Sequence, residues 1–104
     1  MDEQIVPKSL AARVRAGVEF LDEKTPGWSD CVQVIDLDMR STCRCVLGQV
    51  YGNFDRADLY FFGADEHSAI ALGFDANYNA GRAEYPTLQR LWSFVIRQRQ
   101  VVSQ

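Results

Sequence analysis

The chain has 104 residues, 47% hydrophobic and 24% charged, which suits one globular domain and excludes disordered and fibrous architectures. A formal net charge of −3 and a pI near 5.0 argue against nucleic acid as a partner, and are too mild for a DNA mimic. An acidic start, Met1-Asp2-Glu3-Gln4, with no apolar run behind it argues against export, and the longest apolar stretches, 59–62 and 69–72, fall far short of the ~20 residues of a membrane span. Three cysteines, Cys31, Cys43 and Cys45, make an odd set with two members only two apart, a poor disulfide framework that fits a reducing cytoplasm.

The spacing predicts a first helix over 8–24. Leu10, Val14, Val18 and Leu21 fall on one stripe with Gly17 among them, while Lys8, Arg15, Glu19, Asp22 and Glu23 face away. Pro7 suits its start, and Thr25-Pro26-Gly27 ends it. Residues 28–40 mix two periods: 35–40 alternate as a strand does, whereas Trp28, Val32 and Ile35 have helical spacing. No partner strand of clean alternation exists, so a short helical turn followed by an extended connector is expected.

Ser41 is positioned to cap a helix over 42–52, with Cys43, Val46, Leu47, Val50 and Tyr51 on one face and Gly52-Asn53 as the stop. Gly48 lies inside it, away from that face. An interior glycine costs ~1 kcal/mol relative to alanine, which close approach of another backbone would offset. Asp55 is expected to cap a short helix to Phe62 ended by Gly63, and Asp65 another over 66–72 ended by Gly73. The alternative is a small hairpin within 57–74, pairing 59–62 with 69–74, which would make the fold α+β. Residues 75–84 have loop composition. A last helix over 85–99 carries Pro86 in its first turn and Leu88, Leu91, Trp92, Val95 and Ile96 as its buried stripe.

These elements make an all-α single domain of four or five helices over 1–104, with an ordered core of about 8–100. The first and last helices are expected to pack stripe to stripe, with Trp28, Trp92, Leu47 and Val50 buried.

The order of short motifs is also familiar. Leu21-Asp22-Glu23, Pro26-Gly27-Trp28, Ile35-Asp36-Leu37, Cys45-Val46-Leu47-Gly48-Gln49-Val50-Tyr51-Gly52, Leu72-Gly73-Phe74-Asp75 and Leu88, Trp92, Ile96, Arg99 follow one another. Over about 17–99 the chain resembles a group of small uncharacterised proteins from actinobacteria and their bacteriophages, the 45–52 run being the most specific piece. The resemblance implies phage or actinobacterial origin and a bacterial cytoplasm, and it assigns no catalytic or binding residue.

Several constellations are candidates for chemistry. Cys43 and Cys45 with Cys31 or His67 would be a zinc set, but zinc pairs usually stand two to four residues apart, and on a helix these two point to different sides. Core packing is the simpler role for the cysteines, and a surface position that for His67, which has no local nucleophile or orienting group. Asp55, Asp58, Asp65, Glu66 and Asp75 match no calcium loop and read as a solvated acidic face, or one that meets a basic partner. A helix-turn-helix over 42–62 would present Asp55 and Asp58 to phosphates, the wrong sign for DNA. No phosphate loop, dinucleotide fingerprint or local triad signature is present.

Phe94 and Val101 share a side of the last helix that is not its core stripe, beside Arg90 and Arg97, and Tyr78 in the preceding loop can extend this surface. An aromatic among arginines outside the core is interface composition. The expected function is therefore a small non-catalytic interaction module that binds a bacterial protein or itself, with no cofactor, nucleic acid or membrane partner. A zinc-binding protein and a helix-turn-helix-like regulator are the alternatives.

Overall fold

Ser9 opens the first helix: its hydroxyl accepts the Ala12 N–H at 2.9 Å, and the chain then turns regularly through α1, Leu10–Lys24. The computed structural model describes residues 9–63, 65–77 and 83–102. Two 3-10 turns follow, Trp28–Cys31 and Val34–Asp36, then α2 (Val46–Tyr51), α3 (Phe54–Phe62), α4 (Glu66–Ala71) and α5 (Tyr85–Val102). The fold is all-α; among the described residues no strand forms, and both arms of the alternative hairpin fall largely in helices, 59–62 in α3 and 69–71 in α4.

α1 lies against α5 and α4, α2 against α3, α3 against α4, and the two 3-10 turns pack on α5. The stripes of α1 and α5 do meet, with Val14, Val18 and Leu21 facing Leu88, Trp92 and Ile96 in one core. Close approach is set at Gly17, where any side chain would strike the Leu72 carbonyl and the Trp92 ring. Gly73 reciprocates at φ 74°, with its added Cβ 2.9 Å from the Val14 backbone.

Aromatic rings fill the space that this leaves. Trp92 stacks on Phe74 at 5.5 Å and meets the edge of Trp28 at 5.9 Å. Both indole N–H groups have partners: Trp92 donates to the Gly73 carbonyl at 2.7 Å and Trp28 to Asp22 at 3.0 Å.

The segment between α1 and α2 has no sheet to satisfy its backbone, and glutamines take that part. Gln89 of α5 accepts the Met39 N–H and donates to the Leu37 carbonyl. Gln49 of α2 accepts the Gln33 N–H and donates to the carbonyls of Gln33 and Arg44. Gln100 donates to the carbonyls of Ser29 and Val32.

Several local expectations are corrected. α2 starts at Val46 rather than 42, because residues 42–44 form a turn on which Ser41 Oγ accepts the N–H groups of Cys43 and Arg44. The cap is Cys45, whose sulfur accepts the Gly48 N–H at 3.3 Å. Cys43 is consequently exposed instead of lying on the buried face. Gly48 faces the backbone at Thr42 and Cys43, the close approach expected of it. Asn53 rather than Asp55 caps α3, accepting the Arg56 N–H at 3.1 Å, whereas Asp65 caps α4 as expected. Trp28, Trp92 and Leu47 are buried; Val50 is only half-buried, since the short α2 turns it to the rim. Ile35 parts from Leu37 and Met39 because the second 3-10 turn rotates it outward, leaving it exposed while they are buried. The predicted start at Lys8 lies outside the described residues, and α5 runs three residues beyond 99.

Trp92 touches both halves of the core, so Trp92→Ala is expected to cost ~3–5 kcal/mol, a large share of the ~5–15 kcal/mol of an ordinary domain. Urea unfolding at neutral pH measures this, and a loss under ~1 kcal/mol would contradict the packing described.

Candidate functional site

α5 has two faces with different fates. Leu88, Trp92 and Ile96, spaced by four, are fully buried against α1 and the 3-10 turns. On the opposite side Arg90, Phe94, Arg97 and Val101 recur at spacings of four, three and four, which keeps them within an arc of about 60°. Phe94 is 62% exposed and Val101 73%, and both arginines stand in solvent. The four are thus brought together on one outward stripe. Tyr78, expected to extend it, lies outside the described residues.

The third arginine of α5 behaves differently. Arg99 grips Asp22 of α1 with two hydrogen bonds of 2.8 and 2.7 Å, and that carboxylate also takes the Trp28 indole. The Arg99 guanidinium holds the Asp22 carboxyl below its usual range, despite the opposing effect of desolvation. Among the described residues Arg90 and Arg97 have no such ion pair. The stripe therefore offers two uncommitted guanidinium groups beside an open aromatic ring, suited to carboxylates and apolar side chains together.

A buried ion pair escaped the reading of residues. Arg13 is 2% exposed, and its guanidinium reaches both oxygens of Glu84 at 3.0 and 3.1 Å, the Ile70 carbonyl at 2.9 Å and the Asp75 carbonyl at 3.2 Å. Glu84 also accepts the Asn77 N–H at 2.8 Å, so one charge pair closes the neck of the connection between α4 and α5. The Arg13 hydrogen bonds depress the Glu84 carboxyl below its ordinary value of 4.5 against the effect of burial. A local signal existed: Arg13 stands four residues before Gly17, on the edge of the apolar arc of α1.

The other candidate residues do not converge. Cys31 and Cys43 are exposed in separate turns, His67 is exposed on α4, and among the described residues no three metal-binding side chains assemble. Cys45 is buried, and desolvation pushes its thiol up to about 11, so it stands as a helix cap rather than as a nucleophile. α2 and α3 are consecutive short helices, but the exposed side of α3 carries Asp55, Leu59 and Tyr60 with Arg56. Nearby Asp58 has one buried oxygen without a hydrogen-bond partner among the described residues. Burial first, then the charges of Asp75, Asp55 and Asp65, raise its carboxyl above the usual range.

Two adjoining clefts, of about 430 and 250 Å³, share Met39, Arg40 and Tyr85 in their walls. Their charges are largely spent internally. Asp38 stands 3.9 Å from Arg40 and 3.8 Å from Arg44, and Tyr85 donates to Asp75 at 2.9 Å. Among the described residues no helix is long and apolar enough to cross a membrane. No protein-family model, curated protein or solved structure matches the chain.

Arg13→Met strands Glu84 and two carbonyls, and loss of one partner of a buried pair costs ~3–5 kcal/mol. Chemical unfolding at pH 7 is expected to show that loss, and Arg13→Lys to restore only part of it, because an ammonium cannot span the same acceptors. The folded Glu84 carboxyl is depressed, so its contribution is present above 4.5 and fades as pH falls through the lower folded value. Stability of the native sequence should therefore fall more steeply below that pH than stability of Arg13→Met; equal slopes would refute the coupling.

Asp58 has the opposite sign. Its raised folded value makes the charged form a burden at neutral pH that vanishes below 3.8. Asp58→Asn is expected to raise the melting temperature at pH 7 and to lose that advantage at pH ~3.5, read by thermal circular dichroism.

Proposed function

We propose that this protein is a small non-catalytic interaction module, and that it binds a bacterial protein through the outer stripe of α5. The observation that carries the reading is the exposure of Phe94 and Val101 between two arginines without ion-pair partners among the described residues. An open phenylalanine is costly to keep in water, whereas aromatic and arginine anchors dominate binding energy, commonly ~2 kcal/mol or more each on truncation. The resemblance carried by the 45–52 run supports a phage or actinobacterial origin and a bacterial cytoplasm as its compartment.

Affinity capture from an actinobacterial lysate with the native protein and with Phe94→Asp tests this. The native protein is expected to retain a partner that the variant loses. Thermal melting of the two should agree, because an exposed substitution usually shifts stability by no more than ~0.5 kcal/mol. Recovery of the same proteins by both would remove the α5 stripe from consideration.

A further inference from the structure

We draw no further inference here: the strongest candidate, the exposed apolar patch of Leu59 and Tyr60 on the outer side of α3, carries nothing because nothing in the structure shows what covers it.

Discussion

One buried guanidinium organises the molecule. Arg13 lies inside the α1–α4 contact and satisfies the Ile70 carbonyl at the end of α4, the Asp75 carbonyl beyond it and both oxygens of Glu84 before α5. Carbonyls at the end of a helix need donors, and burial of a charge is tolerable only when its hydrogen bonds are met. Here each deficiency supplies the other's need. The closest backbone contacts of α1, at Gly17 and Gly73, flank this arginine, so the same few residues set both the spacing of the helices and the neck of the last connection.

A second device compensates for the irregular stretch between α1 and α2. Side-chain amides have a donor and an acceptor like a peptide group, and Gln49, Gln89 and Gln100 use theirs to stand in for missing strand neighbours. Their anchoring lets Val32, Leu37 and Met39 enter the core without a sheet. Trp28 is seated by the same arrangement, its ring against Trp92 and its N–H on Asp22, which Arg99 in turn fixes to α5.

With these obligations met, what remains on the surface is informative. Arg13 and Arg99 are consumed by carboxylates that fold the chain, whereas Arg90 and Arg97 are left beside Phe94 and Val101. α5 needs only one of its faces for the core, so the composition of the other is free of packing demands. That contrast between spent and unspent charge is the physical basis of the proposal that α5 is a binding face.

The all-α class, the α1 and α5 stripes and the separateness of the Phe94 face were legible from residues, because helical periodicity repeats over many positions and survives the loss of any one. Asp65 as a cap and Gly63 as a stop were legible for the same local reason. The start of α2 was not: Ser41 and Cys45 both offer a side-chain acceptor, and the turn at 42–44 decides between them by folding onto Gly48. Likewise Asn53 and Asp55 are rival caps for α3, separated only by the backbone angles that tertiary packing imposes. Arg13 and Glu84 are 71 residues apart in the chain, and Asp22 and Arg99 are 77 apart. The sequence by itself determined which side of each long helix is apolar. Only the tertiary structure decided which charges are neutralised and which stay open, because a polar group's partner depends on how the helices close in space.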